Sequence, residues 1–296
     1  MLSLEPSAEQ VALAQSVAAA CADPEDAMAA PRWGVLAEIG VLALGSAGYG
    51  AAPDMIAAME ALGAVGHPGP LVAAAFAAQV LTGPLHEAAT SGAMVGLVVD
   101  GLVSWGQRAD ILIEVDGTNA WLVEADGPLE PFTTLADRPW ARGTTRRKVE
   151  LDNALEGYRY GDLTVAAWVT GAATHLLERG AVHARERRQF GGPIGRFHAV
   201  SHPLAAAAAE VGAARDLTRL AAVTEGPEKL GLLAAQARIV ASRAAMRAAF
   251  AVHQVHGALG FAIESDIARF SAGIRECSVV LPLGLRARVQ QPQVER

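Results

Sequence analysis

Apolar positions along the chain fall into three successive patterns. From Ser7 to about Ala89 they recur at helical spacing, in short Ala-rich segments punctuated by Pro31, Gly45 to Gly50, Pro53, the run Gly66 to Pro70, and Gly83-Pro84. Helices this short are marginal alone, so they are expected to pack on one another. From Gly92 the period changes. Met94 to Val99 and Leu102 to Trp105 flank Asp100-Gly101, and Ile111 to Val115 and Ala120 to Val123 flank Asp116-Gly117. Asp-Gly between apolar runs predicts a hairpin, because the turn residues must tolerate positive φ. The middle of the chain is therefore expected to form a small antiparallel sheet. Gly127 to Lys148, rich in Pro, Thr and charge, reads as loop plus one exposed strand.

The third pattern is again helical. Asp162 is placed as the N-cap of a helix running to about Arg188, where Gly191-Gly192-Pro193 breaks it. A second helix spans about Phe197 to Val223, with Pro203 in its first turns, and Glu225-Gly226-Pro227 stops it. A third runs from about Glu228 to Val255 and ends at His256-Gly257-Ala258-Leu259-Gly260, and a shorter fourth follows Glu264. Long helices joined by tight breaks imply antiparallel packing. The expected architecture is mostly α with a small β domain: an N-terminal helical domain (1–91), a reduced antiparallel β domain (92–155) and a C-terminal helical bundle (156–296).

Composition narrows the function. The 296 residues are 52% hydrophobic but only 5% aromatic, and the difference is mostly alanine, which suits helices that approach closely. With 24 Lys and Arg against 31 Asp and Glu, the net charge is −7. The basic clusters stop at Arg185 to Arg188 and Arg146 to Lys148, so no nucleic-acid partner is expected. Mean hydropathy is positive, yet no run approaches the ~20 apolar residues of a membrane span. Met1 to Gln10 carries two glutamates and no basic residue ahead of an apolar run, unlike a secretory signal. Cys21 and Cys277 lack CxxC spacing, which points to a reduced cytoplasmic protein without a thiolate metal site. His253 and His256, and likewise His198 and His202, share a helix face, but no third ligand sits at useful spacing and HExxH is absent. A structural role is expected for both pairs, and no metal.

Two segments carry more specific chemistry. Ala184 to Ala205 reads ARERRQFGGPIGRFHAVSHPLA, and Val252 to Phe261 reads VHQVHGALGF. The first resembles the "ERxQFGxPIGxFQAVxHxLA" segment of the acyl-CoA dehydrogenases, with His198 where Gln is usual. The second is similar to their "QVHGGxGF", with Ala258 for the second Gly. Trp33 to Gly40, and Met59 to Leu71, resemble the family's N-terminal "WxxLAExG" and "EELGRxxxPGPL". The order of helices, small β domain and long-helix bundle agrees.

The resemblance implies FAD bound at a subunit interface. Arg187, Gln189 and Phe190 would reach the diphosphate and adenine of the neighbouring subunit's flavin, since an Arg fork suits a diphosphate and a Phe face suits adenine. Gln254, Gly257 and Ala258 would form the second flavin-contacting turn. It also implies an acyl-CoA substrate, a homodimer, homotetramer or hetero-oligomer with another dehydrogenase subunit, and an electron-accepting flavoprotein.

The family's chemistry needs a carboxylate base to take the α-proton while flavin receives hydride from the β-carbon. Here the chain departs. The position of the usual Glu falls on Gly284, and no carboxylate lies between Glu276 and Glu295. Asp162, beside the alternative base position at Gly161, and Glu264, matching a "TWE"-like position, are the remaining candidates. The "ALTEPxxGSD" and "KxWIT" segments that wrap the flavin have no counterpart between Ala89 and Leu151. The leading expectation is a base-poor subunit that completes FAD sites with a fuller partner. The alternatives are a self-sufficient homo-oligomer with a relocated base, and a non-catalytic acyl-CoA-binding or scaffold protein of the same fold.

Overall fold

A computed structural model describes residues 4–21, 33–224, 226–262 and 265–279. Ser7 starts helix α1 (Ala8–Ala20) with a capping box: its hydroxyl accepts from the Gln10 N–H at 3.2 Å, and the Gln10 side chain accepts from the Ser7 N–H at 3.0 Å. Helices α2 (Trp33–Glu38), α3 (Ala52–Ala64), α4 (Leu71–Val80) and α5 (Gly83–Thr90) follow. Residues 71–78 of α4 are buried on every side, as expected of a helix apolar all round.

Seven strands form one sheet: β1 (Val95–Val99), β2 (Leu102–Val103), β3 (Ile111–Asp116), β4 (Asn119–Ala125), β5 (Glu130–Thr133), β6 (Pro139–Arg142) and β7 (Thr145–Leu151), in the order β5-β6-β2-β1-β3-β4-β7. Asp100 and Gly101, at φ +50° and +74°, close the first hairpin as its sequence requires. In the second, Asp116 pairs with Asn119, so Gly117 and Thr118 make the turn, one residue later than expected.

The sheet is mixed rather than antiparallel, because β1 and β3 run parallel, with Val95 opposite Ile111 and Leu97 opposite Ile113. After the two-residue β2 the chain returns to the start of β1 before the next strand begins. There the Met94 N–H donates to the Asp110 carboxylate, and the Asp110 N–H donates to the Met94 carbonyl, both at 2.8 Å. Gly127 to Lys148 also holds more strand than its composition suggests. Pro131 sits in the edge strand β5 and Pro139 begins β6, two places where a missing N–H is tolerated.

The C-terminal region is built of α6 (Ala154–Glu186), α7 (His198–Val223), α8 (Pro227–His256) and α9 (Asp266–Val279). Helix α6 starts two turns earlier than expected, so Asp162 is an interior helical residue and not an N-cap. Gly157 and Gly161 weaken the local helix signal, but Gly157 is required by packing: a Cβ there would meet the Phe76 ring at 2.9 Å. Pro203 lies in the second turn of α7, where it cannot donate to the carbonyl of Ala199. Buried alanines at 234, 237, 241, 244, 245, 248, 249 and 251 form the inner face of α8. Closest approach occurs between α3 and α6. A methyl on Gly63 would overlap the carbonyl oxygen of Trp168, and one on Gly171 would overlap that of Glu60.

Candidate functional site

Antiparallel packing of α6, α7 and α8 brings the two motif segments to the same end of the bundle. His183, near the end of α6, stacks on His256, at the end of α8, with ring centroids 4.2 Å apart. Between α6 and α7 the chain makes a small hairpin of β8 (Arg188–Gln189) and β9 (Gly192–Pro193). Its two turn residues are Phe190 and Gly191, at φ +47° and +82°. A turn with positive φ at both positions suits Asn, Asp or Gly. A phenylalanine there costs on the order of 1–2 kcal/mol, and the side chain recovers little by burial, because Phe190 is 85% exposed. Among the described residues its ring neighbour is Phe197, edge-on at 6.0 Å. The fold thus holds an aromatic face out into solvent against its local preference.

Arg187, Gln189, Gln254, Gly257 and Ala258 are exposed at the same end of the bundle. Gly257, at φ +60°, ends α8 and leads into a 3-10 turn, Gly257–Phe261. Leu259 and Phe261 are 64% and 70% exposed on that turn, and Phe250 is 75% exposed one helical turn before Gln254. Phe250 and these two residues were not singled out from the sequence. The signal for Phe250 was present: Arg243, Arg247, Phe250 and Gln254 recur at helical spacing on the exposed face of α8, an aromatic inside a polar stripe.

The histidines serve structure here. His256 Nδ1 lies 2.9 Å from the Val252 carbonyl, and His253 Nε2 lies 2.7 Å from Ser271 Oγ while its ring stacks on Phe261. Burial, helped by the His256 charge, holds both His183 and His253 below the ordinary histidine range. Among the described residues, no three His, Cys, Asp or Glu side chains converge on a metal position.

The junction of the N-terminal helices, the sheet and the bundle is where a ligand between domains would lie, and in this chain it is filled. His67, Trp105, Arg138, Trp140, Trp168, Glu276 and Cys277 surround a cavity of about 30 Å³, room for roughly one water. Arg138 pairs with Glu276 at 3.3 Å, and Thr134 donates to the same carboxylate. The Trp168 indole donates to the His67 carbonyl at 3.1 Å. His67 Nδ1 accepts from the Gly69 N–H at 3.1 Å, and burial, with the Arg138 charge, lowers its pKa to about 4. The ring is therefore neutral, with its proton on Nε2.

Of the two candidate bases, only Asp162 lies within the described residues. Asp162 is fully buried and pairs with Arg238, 2% exposed, at 3.0 Å. Glu264, and the Gly284 position of the usual base, lie outside the described residues. The two segments that hold the six flavin candidates meet at one end of the bundle through the His183–His256 stack, while Asp162 lies buried inside it.

A hairpin-and-turn tip on an antiparallel bundle, joined to a small sheet and an N-terminal helical layer, is the architecture that the resemblance of the two motif segments implies. The profile of the acyl-CoA dehydrogenase C-terminal domain matches residues 151–279. Acyl-CoA dehydrogenase IpdE2 of Mycolicibacterium smegmatis is 31% identical over 260 residues, covering 79% of this chain and 78% of that protein. The chain belongs to the acyl-CoA dehydrogenase family, whose cofactor is FAD. The probable acyl-CoA dehydrogenase YngJ of Bacillus subtilis is 29% identical over 176 residues, and the match spans 52% of this chain but only 46% of YngJ. In fold the chain is similar to a chain of the ChsE4-ChsE5 complex from Mycobacterium tuberculosis, with a TM-score of 0.78, 19% identity, and 97% and 96% of the two chains covered.

The residues present fit one side of a flavin. The tip offers an exposed guanidinium, an exposed aromatic face and a glycine turn. At the domain junction, the Arg138–Glu276 pair and the rings of Trp140 and Trp168 leave room for roughly one water.

Proposed function

We propose that this chain is the flavin-completing subunit of a hetero-oligomeric acyl-CoA dehydrogenase, oxidising an acyl-CoA thioester at its α and β carbons. Arg187 binds the diphosphate of the FAD held by a fuller dehydrogenase subunit, Phe190 stacks on its adenine, and Gln189, Gln254, Gly257 and Ala258 close the contact. FAD, when bound, supplies the hydride-accepting chemistry. The partner subunit contributes the base and the thioester site. Electrons leave through an electron-accepting flavoprotein, in a reduced cytoplasmic setting in keeping with two cysteines that lack CxxC spacing.

The observation that carries this reading is Phe190, held at positive φ and 85% exposed. A residue strained outward needs a binding partner to explain it. The filled junction and the buried Asp162–Arg238 pair support a chain that does not catalyse alone. Among the described residues, no helix is long and apolar enough to cross a membrane.

The test is to purify the chain alone and co-expressed with dehydrogenase subunits, then record flavin absorption and its bleaching by acyl-CoA. The chain alone should be colourless, and the productive pair yellow and bleached. In that pair, Arg187→Leu and Phe190→Ala should each weaken FAD retention about tenfold. Colourless protein in every combination refutes the proposal, and a yellow, bleachable chain alone replaces it with a self-sufficient enzyme.

A further inference from the structure

The strained turn that presents Phe190 requires something to hold it, and one side chain is placed to do so. Arg196 Nη2 donates to the carbonyl of Phe190 at 3.2 Å. Its guanidinium carbon lies 5.0 Å from the centroid of the Phe197 ring, and Phe197 in turn meets the Phe190 ring edge-on. A cation over a ring and a charged donor on a carbonyl are both favourable contacts. The side chain reaches back across the hairpin because Gly192 leaves space for it: a Cβ on Gly192 would meet Arg196 Nη1 at 2.7 Å and Cδ at 3.2 Å. The backbone is fixed from the other side by the Ile194 N–H, which donates to the Arg187 carbonyl at 2.8 Å. Among the described residues, no other side chain donates to the Phe190 carbonyl.

We propose that Arg196 is a positioning residue, a latch that keeps the Phe190–Gly191 turn in its positive-φ conformation and so pre-orders the aromatic face and Arg187 for flavin. This rests on the flavin-completing role proposed above. Arg196 acts through the backbone of Phe190 and does not need to touch the cofactor. Pre-ordering of this kind raises affinity by lowering the ordering cost at binding.

The test combines amide hydrogen exchange on the purified chain with FAD affinity of the flavin-carrying complex. Arg196→Leu should speed exchange at residues 189–192 about tenfold and weaken FAD about fivefold, with the thermal midpoint of the chain unchanged. Phe190→Gly removes the turn strain. In that background Arg196→Leu should change FAD affinity less than twofold, because a glycine adopts positive φ without strain and leaves the latch nothing to oppose. A fivefold loss in both backgrounds would mean that Arg196 acts on the flavin or partner surface by its charge, and would overturn the latch. Unchanged exchange in Arg196→Leu would overturn it too. If no complex retains FAD, the flavin-completing role fails, and the exchange measurement still judges the latch by itself.

Discussion

Removing the carboxylate of Asp162 separates a catalytic from a structural role for that residue. It is fully buried and pairs at 3.0 Å with Arg238, itself 2% exposed. The pair ties α6 to α8, and the Arg238 guanidinium also reaches the Cys277 carbonyl of α9 at 3.5 Å. Water cannot replace a lost partner at such a site. Breaking a buried ion pair from one side costs about 3–5 kcal/mol, because the remaining charge stays desolvated. For a chain of this size that corresponds to a fall of roughly 6–10 °C in the thermal midpoint, at about 2 °C per kcal/mol. Asp162→Asn should therefore unfold early in circular dichroism melts, and Arg238→Leu should do the same. Replacing both, as Asp162→Leu with Arg238→Met, should recover most of the loss, since two apolar groups of similar volume need no partner. A different result would refute the reasoning: Asp162→Asn melting within about 1 °C of the parent while abolishing flavin bleaching would make Asp162 an accessible base.

Other expectations follow from the same structure. His67 has a folded pKa of about 4 against an ordinary 6.5, so the unfolded chain binds more protons between those values. Its contribution to stability is fully present above pH 6.5 and is lost as pH falls toward 4, about 3 kcal/mol in all; urea titrations across pH 4–7 should show this slope, and His67→Gln should flatten it. Gly171→Ala should destabilise by about 3 kcal/mol or more, because its methyl meets the fixed carbonyl of Glu60. Gly212→Ala, also in a helix but with nothing within 4 Å of the added methyl, should stabilise by up to ~1 kcal/mol, and melting both variants together checks the contrast.

Much of the candidate site was legible because its signals are local. The helix breaks at Gly191-Gly192-Pro193 and after His256 depend on neighbouring residues alone, and both fall where the sequence puts them. Other features were hidden by longer-range forces. The helical residues 154–161 contain two glycines and read as poor helix, but the Phe76 ring requires Gly157. Strands β5 and β6 contain prolines and read as loop, but their edge and first-residue positions tolerate the missing donor. The parallel pairing of β1 and β3 follows from the return of the chain to Met94, which no two-residue signal records.

By itself, the sequence determined the order of helices, small sheet and bundle, the long Ala-rich bundle helices, the family and the two motif segments that meet at the tip, because periodicity, turn chemistry and contiguous motifs are written along the chain. Only the tertiary structure decided that Asp162 is buried against Arg238, that Arg138, Glu276, His67 and Trp168 fill the domain junction, and that Arg196 folds back onto the Phe190 turn. Those facts join residues distant in sequence or depend on side-chain direction. They are set by which charges and rings share a desolvated space once the layers close, and that is not a property of any local segment.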